Sequence, residues 1–235
     1  MPEIITYRFY EGAGKKVDIE LRFDDRSFAM MLPTDAEFPE WTRLEFQKCR
    51  NCNLEGNVAY CPAAQAIAHF LPAFADALSY TKAVVEVDTP NRIIVSKTTL
   101  QSAVASLMGL AMATSGCPRT DFLRPMARFH LPFATDAETV FRSLGTWLLG
   151  EHIRGHTIEP DGAASFDGLR LAYEQLSIVN ACFAERLRAA VTRDAALNAI
   201  LVLDTMAQVA GLNLDGSFED IRHAFRLAGS ESPPA

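Results

Sequence analysis

Four of the five cysteines have a spacing suited to one shared metal site. Cys49 and Cys52 form a C-x2-C pair, whereas Cys61 and Cys117 each stand directly before a proline. A C-x2-C turn lets two thiolates face one metal ion, and tetrahedral zinc or an iron–sulfur cluster then needs two more sulfurs. A proline can begin a helix, and the positive end of a helix dipole favours a nearby thiolate. These residues predict one metal centre, with zinc ahead of an iron–sulfur cluster.

Other uses of the thiols stay open at this point. A redox-active C-x2-C pair requires a strand followed at once by a helix, whereas residues 53–57 have a loop-like composition. The cysteines could also be unrelated buried thiols, which is the expectation for Cys182 in the middle of a predicted helix. A further alternative makes Cys117 a nucleophile with His130 as its base, but that role competes with metal ligation for the same sulfur.

Positive side chains follow the fourth cysteine closely; they are Arg119, Arg124, Arg128 and His130. Arg124 and Arg128 are four positions apart and share one face of a helix. The group predicts donors to metal-bound sulfur or a pocket for a small anion. The alternative is that Asp121 and other acidic residues pair with these arginines.

Familiar catalytic signatures are absent from the sequence, including a Walker loop, a dinucleotide fingerprint, G-x-S-x-G and H-E-x-x-H. His152 and His156 have the spacing of half a zinc site. Gly155 is expected to end the helix between them, which favours ordinary histidines near a helix C-terminus.

Alternating apolar and polar residues, rich in β-branched and aromatic types, predict the strands. Residues 4–10 and 17–23 predict a hairpin, because a Gly-rich turn separates them. Residues 82–87 and 92–96 predict a second hairpin around a Pro-Asn turn. Residues 41–46 predict a further strand that leads into the C-x2-C pair.

Helical periodicity, caps and breakers predict the helices. They are expected over 63–78 with a break at Pro72, 100–114 ending at Gly116, 118–129, 140–154 after a capping box at Thr135, 167–193, 194–211 and 221–228. The even spread of Leu, Met, Ala and Val over 100–114 predicts burial on most sides of that helix.

These elements predict an α+β fold that is predominantly α-helical. Small N-terminal antiparallel strands and a second β-hairpin are expected to pack on a helical body. The chain is expected to form a single domain, with a mixed strand and metal-knuckle part over 1–98, a helical body over 99–228 and a tail over 229–235.

The run 114–134, TSGCPRTDFLRPMARFHLPFA, adds a longer pattern to the C-x2-C pair and the Cys61-Pro62 step. Together these motifs resemble an uncharacterised bacterial family, a domain of unknown function, over nearly the whole chain. The resemblance implies a bacterial cytosolic protein. It carries over no functional residue, because no activity comes with the family.

Composition limits the classes of function. The net charge of −7 disfavours nucleic acid as a partner, and no apolar run is long enough for a membrane span. Met1 is not followed by a basic stretch and an apolar segment, which favours a cytoplasmic location.

The expected function is that of a metal-binding regulatory or adaptor protein, such as a redox or metal sensor, acting on a protein partner or a second copy of the chain. Four cysteine ligands close a tetrahedral site and leave no position for a substrate. The alternative is a metal- or cysteine-dependent enzyme acting on a small anionic substrate.

Overall fold

The computed structural model describes residues 1–12, 14–75, 77–155, 166–190, 198–201, 203, 204 and 207. The N-terminal hairpin is present as predicted. Strands β1 (Glu3–Glu11) and β2 (Lys15–Phe23) pair antiparallel, with Glu3 opposite Phe23. Gly12 and Gly14 lie in the turn between them with φ of +38° and +109°, a region that glycine adopts without steric cost.

The second hairpin joins the first in one antiparallel sheet. The remaining strands are β3 (Met30–Met31), β4 (Lys82–Thr89) and β5 (Arg92–Thr99). Strand β1 pairs with β4, and the sheet order is β3-β2-β1-β4-β5. Apolar residues of β1, β2 and β4 are buried on one face of this sheet, where the helices cover them.

The predicted fold class was wrong. The sequence predicted a predominantly α-helical body on which two small strand units pack. The described residues instead form a five-stranded sheet together with helices, an α+β fold without clear helical dominance. The hairpin patterns are local and do not show that β1 will pair with β4. That pairing follows from burial of a shared apolar face, on which Tyr7 lies opposite Val87 and both are fully buried.

The strand predicted over 41–46 was also wrong. A 3₁₀ turn occupies Glu40–Thr42, and the following Arg43 makes only an isolated antiparallel bridge with Tyr60. The segment lacks a neighbouring strand along its length, so its alternating pattern does not extend into a ladder.

Five α-helices follow one another along the described chain. They are α1 (Pro62–Ala68), α2 (Leu100–Thr114), α3 (Arg124–Arg128), α4 (Asp136–Ile153) and α5 (Asp167–Ala190). A separate 3₁₀ turn at Leu71–Phe74 confirms the break predicted at Pro72. The segment predicted as a helix over 118–129 is divided into turns, a 3₁₀ turn at Asp121–Leu123 and α3.

Local end signals explain where two of the long helices stop and start. Helix α2 ends before Gly116, whose φ is +89°. Helix α4 begins with the predicted capping box, in which Thr135 and Glu138 satisfy each other's backbone N–H groups. The helices predicted over 194–211 and 221–228, as well as the tail, lie outside the described residues, apart from helical positions at 198–201, 203, 204 and 207.

Helix α2 lies at the centre of the main core, as its composition predicts. Most of its residues are buried, including Leu107 and Met108, which are fully covered. A second apolar cluster, which includes Leu144 and Tyr173, joins α4 to α5. None of the described helices is long and apolar enough to cross a bilayer.

Candidate functional site

The C-x2-C pair lies in a turn that helix α5 contacts. The backbone N–H of Cys52 donates to the carbonyl oxygen of Cys49 at 2.9 Å. Within the turn, the side-chain amide of Asn51 donates to the carbonyl oxygen of Gln175 in α5, also at 2.9 Å. The predicted knuckle is therefore present, and a helix from the far end of the sequence fixes it.

Cys61 is placed where the loop enters α1. Its N–H donates to the carbonyl oxygen of Thr42 at 2.8 Å, and its own carbonyl oxygen accepts from the N–H of Gln65 at 2.9 Å. Pro62 is the first helical residue, as predicted, and Cys61 itself is buried. This bonding fixes the backbone that carries the thiol.

Cys117 lies just after the end of α2. Its N–H donates to the hydroxyl oxygen of Ser115 at 3.2 Å, and its carbonyl oxygen accepts from the N–H of Thr120 at 3.1 Å. Burial raises the pKa of its thiol, while hydrogen bonds from the backbone N–H groups of Arg119 and Thr120 act in the opposite direction. Backbone donors of this kind favour a thiolate over a thiol.

Three thiols lie near enough to Cys49 to raise its pKa; they belong to Cys61, Cys117 and Cys182. We call these four residues the thiol cluster. Burial raises the pKa of Cys49 to about 12, and the other three thiols add to that shift. Cys61 also raises the pKa of Cys117. The cluster therefore unites the knuckle, the start of α1, the end of α2 and the middle of α5.

Cys182 was missed as a site residue by the sequence analysis, which assigned it to the ordinary core. It is half-buried on α5, three positions after the buried Val179 and four before the buried Arg186. That spacing places Cys182 on the inward side of the helix. The helical spacing from Val179 was the one signal in the sequence that could have identified Cys182 as an inward-facing residue. Its proximity to Cys49 depends on how α5 packs.

Cys52 is partly buried and packs against the main core. The hydrogen bond to Glu45 raises the pKa of Lys48, and the electrostatic interaction with Cys52 adds to that shift. In the described part of the chain, no three His, Cys, Asp or Glu side chains are already arranged to hold a metal ion. The structure thus gathers thiols without forming a compact ligand set.

A buried arginine lies beside the thiol cluster. Arg186 is 1% exposed, and its guanidinium donates to the carbonyl oxygens of Trp41 and Arg43 at 2.5 and 2.8 Å. Its Nε has no hydrogen-bond partner, and no carboxylate among the described residues pairs with it. Although burial dominates the pKa of Cys49, the charge of Arg186 lowers it. Sequence reasoning gave no signal for this residue.

The three predicted arginines have separate partners. The Nε of Arg119 donates to the carbonyl oxygen of Asn51 at 2.8 Å, which ties the segment after Cys117 to the knuckle. Arg124 pairs with the neighbouring Asp121. Arg128 pairs with Glu3 on β1 at 2.6 Å and lies over an aromatic ring. The structure therefore does not gather these cations around one anion.

His130 lies apart from the three arginines, in contact with strand β1. Its Nε2 lies 2.5 Å from the hydroxyl oxygen of Tyr7, which is also 2.9 Å from the Ser106 hydroxyl oxygen. Burial, and to a smaller extent the charge of Arg142, lowers the pKa of His130 to about 3. The ring is therefore neutral near pH 7 and lines a cavity beside α2.

His152 forms part of the last turn of α4 and is exposed. Gly155 follows with φ of +74°, which confirms that the helix ends here. His156, the second residue of the suspected pair, lies outside the described residues.

Comparisons with known proteins identify the family of this chain but do not assign an activity to it. No curated protein and no solved structure shows a significant match to this chain. One family model, described as a domain of unknown function, DUF6901, matches residues 5–226. This match covers most of the sequence, and the chain belongs to the DUF6901 family, a domain of unknown function.

Proposed function

We propose that the protein is a cytoplasmic metal-binding protein with a regulatory or adaptor role, and that its thiols hold one zinc ion. The proposed ligands are Cys49, Cys52, Cys61 and Cys117. Cys182 competes with Cys52 for the fourth position, because it lies within electrostatic range of Cys49. An iron–sulfur cluster is the alternative group for the same sulfurs.

The observation that carries this proposal is the environment of Arg186. A buried charge without an anionic partner is unfavourable by several kcal/mol. Arg186 is buried near enough to Cys49 to lower its pKa, and within the described part of the chain it bonds carbonyl oxygens and no carboxylate. A zinc ion with four thiolates carries a net charge of about −2, which would supply the missing negative charge.

Protons must leave before the sulfurs can bind a metal. With a pKa of about 12, the Cys49 thiol is protonated near neutral pH. Zinc binding therefore requires deprotonation, and the apparent affinity falls as the pH falls. Zinc–sulfur bonds of about 2.3 Å would then draw the thiols into a compact set, which their single-bond side-chain rotations allow.

A metal at this position would connect three segments of the chain, which are the knuckle, the start of α1 and the end of α2. With Cys182 in place of Cys52 as the fourth ligand, loading would also fix α5 against them, and a partner surface that includes α5 would then depend on the metal. Four sulfur ligands leave no open position for a substrate. The enzyme alternative has weaker support, because Arg124 and Arg128 are already paired with Asp121 and Glu3.

The test is the metal content and absorption spectrum of the full-length protein purified without oxygen. We expect one zinc ion per chain, and Co²⁺ substitution should give thiolate-to-metal charge-transfer absorption. Cys61→Ser and Cys117→Ser should each lower the zinc affinity more than roughly 100-fold, since structural zinc binding of about 10–16 kcal/mol is shared by four ligands. His152→Gln is the control for adventitious binding and should change nothing.

Two further variants identify the fourth ligand. If Cys52 binds the metal, Cys52→Ser weakens binding and Cys182→Ser does not; the reverse result assigns Cys182. A brown protein containing iron and sulfide would replace zinc with a cluster. A stably folded chain that binds no metal, or full zinc affinity in both Cys61→Ser and Cys117→Ser, would contradict the proposal.

A further inference from the structure

A cavity of about 460 Å³ lies beside the central helix, in the size range of small-molecule sites. Its walls come from β5, α2, α4, α5 and the segment around α3. The apolar part of the lining includes Ala105, Gly109, Ala113, Leu131, Phe133 and Leu176. Ala105 and Ala113 of α2 carry short side chains on this wall, whereas Leu203 packs against Gly109, where a Cβ atom would lie 3.2 Å from its Cδ2.

Asn180 on α5 provides an unused donor in this wall. The residue is 2% exposed, and its side-chain Nδ2 has no hydrogen-bond partner among the described residues. A buried N–H group without an acceptor is unfavourable, because it has lost its hydrogen bonds to water. An oxygen atom of a bound molecule would remove that cost.

Arg142 on α4 is the one charged side chain among the described residues of the lining. Its Nη2 donates to the carbonyl oxygens of Met126 and Phe129 at 2.7 and 2.9 Å. Glu138 lies close enough to favour the charge, but its carboxylate caps the start of α4 through Thr135. The half-buried guanidinium therefore faces the cavity region without a carboxylate bonded to it.

The other titratable groups of the lining are neutral. His130 is bonded to Tyr7, and its low pKa keeps the ring uncharged near pH 7. Burial raises the pKa of Tyr173, whose hydroxyl donates to the Ser143 hydroxyl oxygen at 2.8 Å. The described lining thus combines a mostly apolar surface and several serine and threonine hydroxyls with a single positive charge.

We propose that this cavity is a binding site for an apolar monocarboxylate, with the carboxylate on Arg142 and Asn180 donating to an oxygen of the ligand. The apolar chain or ring would lie along the small residues of α2. One cation in an apolar lining favours one anionic group, and it disfavours a cation or a highly polar molecule. The site shares no residue with the thiol cluster, so it stands independently of the metal proposal.

The experiment compares three probes of equal chain length: decanoate, 1-decanol and decylammonium. The two ionic probes are kept below their micelle concentrations, and decanol is kept below its solubility limit. Calorimetric titration of the full-length protein at pH 7.5 should show saturable 1:1 binding of decanoate. Decanol should bind about tenfold more weakly, because a charge-assisted hydrogen bond contributes more than a neutral one. Decylammonium should bind more weakly still.

Variants locate the site. Arg142→Gln should weaken decanoate binding about tenfold and leave decanol binding unchanged, since it removes the charge and keeps the apolar wall. Ala113→Leu fills the cavity and should weaken binding of both probes. Arg188→Gln changes a matched arginine on α5 that is exposed and paired with Glu185, so binding should stay as in the wild type.

Arg142→Gln could unfold the region between α3 and α4, and the Ala113→Leu variant keeps the proposal testable in that case. The proposal is overturned if decanol binds as tightly as decanoate to the wild type, or if none of the three probes binds. It is also overturned if Ala113→Leu folds and binds decanoate with wild-type affinity, because the ligand then lies elsewhere.

Discussion

At the scale of single residues, the contact between Tyr7 and His130 links three parts of the fold. Tyr7 is fully buried on β1, Ser106 belongs to α2, and His130 follows α3. The Tyr7 hydroxyl lies within hydrogen-bond distance of both partners. A buried hydroxyl that satisfies two groups in this way fixes their relative positions.

The lowered pKa of the half-buried His130 makes stability depend on pH. The pKa of His130 is lowered from 6.5 to about 3, so between these values the unfolded chain binds a proton that the folded chain does not. The stabilisation is present above pH 6.5 and is lost as the pH falls towards 3. From pH 7 to pH 5 we expect a loss of about 2 kcal/mol in the free energy of unfolding from this residue.

Urea unfolding of the wild type and of His130→Gln at both pH values measures this loss. Glutamine keeps a hydrogen-bonding group near Tyr7 but does not titrate. Between pH 7 and pH 5 the variant should therefore lose about 2 kcal/mol less of its free energy of unfolding than the wild type, because the effects of all carboxylates are the same in both proteins. Equal pH dependence in the two proteins would show that His130 is not buried in its neutral form.

At the scale of elements, a glycine sets how closely α5 approaches α4. A Cβ atom at Gly168 would lie 2.7 Å from a ring carbon of Trp147 on α4, which is too close for an unchanged structure. Gly145, in the middle of α4, has no atom within 4 Å of the equivalent Cβ position. The same substitution, glycine to alanine, therefore meets a close neighbour at Gly168 and open space at Gly145.

Replacing each glycine with alanine should change stability in opposite directions. Gly168→Ala should destabilise the protein by about 1–3 kcal/mol, because the indole ring must move. Gly145→Ala should stabilise it by about 0.5–1 kcal/mol, because alanine favours the helical backbone. Urea unfolding measures both values, and a stabilising Gly168→Ala would mean that the two helices pack farther apart than the structure shows.

At the scale of the whole molecule, Arg186 joins α5 to a segment that lies 145 residues earlier in the sequence. Its guanidinium, carried by α5, bonds the backbone of Trp41 and Arg43 in the segment before the knuckle. Removal of the side chain takes a donor from both carbonyl oxygens, of which that of Arg43 also accepts from the N–H of Phe46 at 3.2 Å. The same removal takes away the positive charge near Cys49.

Arg186→Gln should therefore lower the free energy of unfolding by about 3 kcal/mol and also weaken zinc binding. Arg188→Gln, two positions further along α5, affects only an exposed pair with Glu185 and should cost less than about 0.5 kcal/mol. Chemical unfolding with and without zinc separates the two effects. Equal stability of the two variants would show that Arg186 does not hold α5 to the segment before the knuckle.

The sequence by itself determined most of the local structure. Both hairpins, the break at Pro72 and the end of α2 before Gly116 depend on signals within a few residues, and the structure contains them. The C-x2-C turn and the start of α1 after Cys61 are also present as predicted. Backbone conformational preferences and helix caps depend on residues that are close together in the sequence, so they can be predicted from the sequence alone.

Only the tertiary structure decided what these pieces form together. The pairing of β1 with β4 creates one sheet from two hairpins, and the packing of α5 brings Cys182 and Arg186 to Cys49. The cavity around Arg142 and Asn180 likewise exists only where several elements meet. Such contacts arise from burial of shared apolar faces between segments far apart in sequence, and no local pattern specifies which faces will meet.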